Sequence, residues 1–222
     1  YTQPTRAERI QALSKSPAQL YANDDAGRAP ALKDYQKIID DITAGLDPMF
    51  ATKPRAAVEV KRIPTFTEKT AAGAYYNPPP LDGSRPGVFC AVIHDPRKFS
   101  TPGMAALLLH EGRPGHHFHM ALQQELDIPK FRRFGGETAF AEGWGLYSET
   151  IGKELGMLDD PYMYAGMLQN ELWRAIRLVV DTGFHSKGWT REQVIAYMRE
   201  NSAVSEVDAV AEAERYMAIP GQ

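Results

Sequence analysis

Four of the chain's six histidines fall between positions 110 and 119, within LLLHEGRPGHHFHMAL (107–122), beside Glu111. Imidazoles and a carboxylate in such density suit two kinds of chemistry, holding a divalent cation and moving a proton. The stretch begins as H-E-x-x-H does, a motif in which two histidines one helical turn apart bind a metal and the glutamate serves as base. Here Pro114 stands where the second histidine belongs, and histidines return at His116, His117 and His119. Four residues turn a helix by about 400°, which brings two side chains to one face. Six residues, from His110 to His116, turn it by about 600° and set the two apart. Pro114 and Gly115 can absorb the difference, since proline removes an internal hydrogen bond and glycine tolerates the backbone of a bulge. His117 lies near His110 in angle on an unbroken helix but about 10 Å along its axis, and it stays the rival second ligand.

A histidine-rich stretch can equally be a solvated helix face. The LLL before His110 argues for a buried setting, where a glutamate among histidines is costly unless a cation compensates it. A metal site of this type needs a third ligand, and ETAFAEGWGLYSE (137–149) supplies candidates. Glu142 sits among Ala139, Phe140, Ala141, Gly143 and Trp144, where an unpaired carboxylate pays for desolvation. Glu149, seven residues later on the same face, suits orienting a ligand, and Glu137 reads as a helix-start charge. Surface acids on an amphipathic helix are the plainer account of all three.

Further along, Arg177, Asp181 and His185 recur at four-residue spacing in RAIRLVVDTGFH, on one helical face. A surface Arg–Asp pair explains two of them. The apolar LVV and the nearby Gly183 favour a polar cleft, in which His185 donates to an oxyanion or a substrate carbonyl. Arg177 would then hold a carboxylate or fix Asp181. Tyr75 and Tyr76 precede a proline-rich loop and either line a cleft or pack beneath it.

These groups need a scaffold. Residues 5–45 read as helical pieces, the second closed by Gly45 and Pro48. AAVEVKRIP (56–64) and PGVFCAVIHD (86–95) read as strands, and YYNPPPLDGSRPG between them as a loop. Helices are expected at 102–125, 137–155, 160–186, 190–201 and 206–217. The fold class is therefore mainly α with a small antiparallel β-sheet, an α+β arrangement. One domain is expected over 1–222: a helical lead-in (1–55), a small sheet and loop (56–100) and a helical body carrying the site (101–222). Strand 86–95, close before the metal helix, is expected to be an edge strand that pairs with extended substrate.

Composition sets the outer bounds. The 222 residues, 43% of them hydrophobic, suffice for a folded core. A net charge of −3 gives no case for binding nucleic acid or an anionic membrane surface. Cys90, the only cysteine, excludes an intrachain disulfide. No apolar run reaches the roughly 20 residues that span a bilayer. The start at Tyr1 and the closing IPGQ read as cuts through a longer protein.

HEGRPGHH, AFAEGWGLYSE, RLVVDTGFHSKGW and ERYMAIPGQ, in that order, resemble the bacterial domain-of-unknown-function family 885, which is zinc metallopeptidase-like. The likeness runs from YYNPPPLDGSRPGVF to the last residue. The family is similar in turn to the helical glutamate-zincins, such as thimet oligopeptidase, angiotensin-converting enzyme and dipeptidyl peptidase three. The resemblance implies one zinc ion held by His110, His116 and Glu142, with Gly115-His116 as the displaced pair, Glu111 as base and His117 as the alternative second ligand. It also implies Tyr216, with His185, at the developing oxyanion, and Arg177, Asp181, Arg215 and Tyr76 toward the substrate, a short peptide. A longer protein that is secreted, periplasmic or lipoprotein-anchored is implied too. A zinc amidase or esterase acting on a non-peptide, or a metal-binding module without activity, shares the same residues.

Overall fold

The computed structural model describes residues 20–68, 74–94 and 101–221, together with residue 12. The chain divides into two compact units, Pro17–Met167 and a second formed by Tyr1–Ser16 with Leu168–Gln222. The first helical piece expected within 5–45 falls largely outside the described residues.

In the larger unit, helix α1 spans Asp25–Gly45 and is opened by Asp24, whose side chain accepts from the Gly27 backbone N–H at 2.8 Å. This satisfies one of the donors that a helix start leaves unpaired. Its buried residues, Gly27, Ala31, Tyr35, Ile39 and Ile42, recur every three or four positions and form one stripe. That stripe lies in a core with Phe89, Ala91, Ile93, Met104, Leu108, Leu109 and Phe118.

Among the described residues the sheet has three strands, β1 (Val58–Arg62), β2 (Tyr75–Asn77) and β3 (Gly87–Ala91), in the order β1-β3-β2. β1 runs parallel to β3, with Val58 opposite Gly87, and β2 antiparallel, with Tyr76 opposite Phe89. Two expectations are corrected here. The sheet is mixed, not antiparallel, because the 24 residues between Arg62 and Gly87 allow a crossover that returns parallel to β1. β3 is the central strand, paired on both sides, so it has no free edge for a substrate. In YYNPPP the three prolines mask the short strand that precedes them.

Helices α2 (Thr101–Glu111) and α3 (His116–Glu125) replace the expected single helix 102–125, and residues 112–115 interrupt it. A short helix α4 (Lys130–Phe134) and α5 (Thr138–Ile151) follow. The expected helix 137–155 stops at Ile151 and gives way to turns, which Gly156 continues at φ 70°. Helix α6 (Pro161–Lys187) begins in this unit, where Met163 and Met167 pack with Ala106 and Leu158.

In the second unit, the rest of α6 joins α7 (Arg191–Asn201) and α8 (Glu206–Ala218). A capping box of Thr190 and Gln193 starts α7, and the Ser205 side chain caps α8 by accepting from Asp208 N. Ile176, Val180, Val194, Met198, Ala209, Ala213 and Tyr216 form its core. Among the described residues no helix is long and apolar enough to cross a membrane.

Candidate metal centre

His110 sits in the last turn of α2, and the LLL that precedes it packs into the core, so the imidazole is 2% exposed. Its two nitrogens face two carboxylates. Nδ1 lies 2.9 Å from Oε1 of Glu149, a buried residue of α5, and Nε2 lies 3.3 Å from Oε2 of Glu142 on the same helix. A carboxylate only accepts, so the pairing with Glu149 puts a proton on Nδ1 and leaves Nε2 facing Glu142. Gly145 makes this approach possible. A Cβ there would lie 2.7 Å from both Cε1 and Nε2 of His110.

His116 reaches the same place from α3. After Gly112 closes α2 by donating to Leu108 O, His117 N donates to Gly112 O at 3.1 Å, a step of five residues where a helix takes four. The added residues of the motif are taken up in this wide turn, where the Arg113–Pro114 peptide bond is cis. Gly115 is required at its end, because a Cβ would collide with the carbonyl oxygens of Leu109 and His110. From the far side, Trp144 of α5 donates its indole N–H to Pro114 O at 2.8 Å. His116 thus lies edge-on to His110, ring centroids 4.7 Å apart, with Nε2 3.5 Å from Oε1 of Glu142.

His110, His116 and Glu142 form a group able to hold a metal ion, each offering one ligand atom, all within 4.8 Å of one another. The two histidines are buried, whereas Glu142 is 49% exposed, so the group opens to solvent on the glutamate's side. Hydrogen bonds first to His110 and then to His116 hold the Glu142 carboxyl well below the usual carboxylate range, despite partial burial that opposes this. Glu111, half-buried, directly follows His110 at the end of α2.

His117 is turned elsewhere. It is fully buried, with Nδ1 2.8 Å from the Tyr76 hydroxyl and Nε2 3.1 Å from Ala56 O, so both ring nitrogens are engaged by protein. Burial, reinforced by the nearby Arg113 guanidinium, pushes its pKa down to about 4 and keeps the ring neutral. Tyr76 is itself buried, and burial raises its phenol above the ordinary range. His119 packs edge-on against Phe140, 5.0 Å between centroids.

The remaining expected site residues lie in the second unit and form a network of their own. The Tyr216 hydroxyl donates to Glu212 at 2.6 Å, and the guanidinium groups of Arg177 and Arg215 lie 5.3 and 4.9 Å from the Tyr216 ring centroid. Arg215 also pairs with Glu212. His185 Nε2 lies 2.9 Å from Tyr216 O, and Asp181 accepts from Gly221 N at 2.7 Å, beyond the end of α8. A direct part in chemistry for Tyr216 or His185 would exchange these bonds for bonds to a substrate.

Sequence reasoning passed over Gly145, Arg113 and Gly87. A glycine inside an otherwise good helix pattern, as in EGWGLYSE, is a signal of close approach, because it costs stability that alanine would not. Arg113 and Gly87 carry no such signal.

A mainly helical body with a small mixed sheet and a His-His-Glu group on three helices defines the class. The chain belongs to the family described as bacterial protein of unknown function (DUF885), which it matches over residues 2–222. It is similar, at 46% identity and a TM-score of 0.96, to the crystal structure of a candidate lipoprotein from Colwellia psychrerythraea, with all of this chain covered and 38% of that one. A candidate lipoprotein of unknown function from Shewanella oneidensis shares the fold at a TM-score of 0.76 and 20% identity, over all of this chain and 41% of that one. The chain thus spans about two fifths of the length of these solved relatives. No match is found among curated proteins.

Proposed function

We propose that this chain carries the metal-binding and catalytic portion of a zinc-dependent metallopeptidase that cleaves short peptides. The observation that carries the reading is the convergence of three donors, with one ligand atom of each within 4.8 Å of the others. The two imidazole Nε2 atoms each face an oxygen of the same carboxylate, His110 at 3.3 Å from Oε2 of Glu142 and His116 at 3.5 Å from its Oε1. The donor chemistry agrees: two imidazoles and a carboxylate, with one side open, are the set that catalytic zinc takes.

When bound, zinc supplies a Lewis acid that acidifies water to a pKa near 7 and polarises a carbonyl oxygen. His110 is held in its ligating tautomer by Glu149, and Gly145 leaves the ring room to stay there. Glu111, next in the chain, takes the proton of the attacking water and returns it to the leaving amine. Glu142, on the solvent side, marks where the substrate carbonyl enters. The candidate-lipoprotein relatives support a place in the cell envelope.

The test is metal analysis of purified protein together with hydrolysis of a quenched-fluorescent peptide library. One zinc per chain, lost in His110→Ala, and hydrolysis reduced at least about 100-fold in Glu111→Gln with zinc retained are expected. Sub-stoichiometric zinc, or hydrolysis indifferent to Glu111→Gln, would sink the proposal.

A further inference from the structure

We infer that Tyr76 and His117 act as a positioning pair for the metal group, setting where His116 stands; the inference rests on the metal reading above. The common point is one backbone oxygen. Ala56 O accepts from Arg113 Nη2 at 3.1 Å and from His117 Nε2 at 3.1 Å. Arg113 precedes the Pro114-Gly115 turn and His117 follows it, so a single carbonyl ties the two sides of the interruption together. That oxygen is placed by the sheet. Gly87, at the start of β3, donates to the neighbouring Ala57 O at 2.9 Å, and Val58 then begins the parallel register.

The other side of the His117 ring is fixed just as firmly. The Tyr76 hydroxyl donates to Nδ1 at 2.8 Å, the two rings meeting edge-on with centroids 5.4 Å apart. The Ala56 carbonyl can only accept, so Nε2 carries the proton and, in the neutral ring, Nδ1 accepts from the hydroxyl. Gly87 provides the room: a Cβ at this position would lie 2.8 Å from His117 Nδ1 and collide with the Tyr76 hydroxyl. The opposite flank of the turn is held by Trp144 on Pro114 O. With both flanks held, the wide turn has one arrangement, and His116 is covalently next to the residue that holds it. A ligating constellation tolerates errors of about 0.5 Å before affinity is lost. His117 is therefore no spare ligand. It converts sheet register into the position of His116.

If the pair only filled space, its loss would lower thermal stability and leave the metal group alone. Tyr76→Phe deletes one hydroxyl and keeps the ring. Zinc affinity, measured by chelator competition well below the unfolding temperature, is expected to fall about tenfold or more. Gly87→Ala, which attacks the same bond from the opposite side, is expected to fall likewise. Tyr75→Phe, on the same strand but 39% exposed, is expected to keep wild-type affinity. In metal-free protein, long-range 1H–15N spectra should show His117 protonated at Nε2, and Tyr76→Phe should shift the His116 ring signals while Tyr75→Phe does not. Folded Tyr76→Phe with wild-type zinc affinity and unmoved His116 signals overturns the inference, whatever its melting temperature. Wild-type protein that takes up no zinc overturns the metal reading instead, and the metal-free spectra still decide whether Tyr76 sets His116.

Discussion

His110 and Glu149 are joined inside the protein, Nδ1 2.9 Å from Oε1, with each side chain at most 2% exposed. Thirty-nine residues separate them in sequence, yet this contact decides which imidazole nitrogen faces the open side of the group. A buried carboxylate beside an imidazole both orients the ring and raises its basicity as a ligand.

Glu149→Gln keeps the shape and removes the charge. Zinc affinity is expected to fall about 10- to 100-fold, read by chelator competition, with the far-ultraviolet circular dichroism unchanged. Wild-type affinity in this variant would show that Glu149 does not tune His110.

Gly145→Ala places a methyl group 2.7 Å from the His110 ring. Because the ring is rigid and packed, it must turn away from Glu142 or α5 must retreat from α2. Overpacking of this kind costs about 1–3 kcal/mol. The expected outcome is sub-stoichiometric zinc in a folded protein, checked by metal analysis after gel filtration. Gly143→Ala, where an added Cβ meets open space, is the control and should bind zinc as wild type does.

Gly115→Ala sets a Cβ against two backbone oxygens, which no side-chain rotation can relieve. The turn has to shift or open. A loss of about 3 kcal/mol or more, equivalent to roughly 6–12 °C in melting temperature at this size, is expected by differential scanning calorimetry. A melting temperature within a degree of wild type would show that the turn is more compliant than its contacts imply.

Acid stability should depend on Glu68, which is 2% exposed. Its carboxylate takes a two-pronged bond from Arg62, at 2.8 and 2.6 Å, and accepts from Ile93 N at 3.2 Å. The Arg62 guanidinium, first among the causes, holds the Glu68 carboxyl below its ordinary value, against burial. A carboxyl depressed in the folded state contributes stability that is present above its unfolded pKa, near 4.3, and is lost as pH falls through the folded value. Urea midpoints should therefore drop from about pH 4.3 downward in wild type, and less steeply in Glu68→Gln. Parallel acid limbs in the two proteins would exclude this role.

Much of the site was legible in the chain itself. Types and spacing in HEGRPGHH and AFAEGWGLYSE marked His110, Glu142 and Glu149; burial holds for His110 and Glu149, whereas Glu142 is 49% exposed and the apolar setting expected for it is not found, Phe140 beside it being exposed as well. The helices beyond Pro161 were legible within a residue or two, since caps and breakers such as Thr190 and Gly188 are local signals. β2 was not, because a strand of three residues has too little period to read, and its pairing with β3 depends on residues eleven to fifteen positions away.

Residue types and their spacing alone pointed to a metal-competent set of side chains and to Pro114-Gly115 as the step that re-aims the second half of the motif. Angle and rise along an ideal helix could not choose between His116 and His117, because the interruption abolishes the helix on which both are counted. The tertiary structure brought His116 to Glu142 and gave His117 to Tyr76 and Ala56. It could do so because the deciding contacts come from the segment leading into β1, from β2, β3 and α5, whose positions are set by long-range packing and sheet register, not by local propensity.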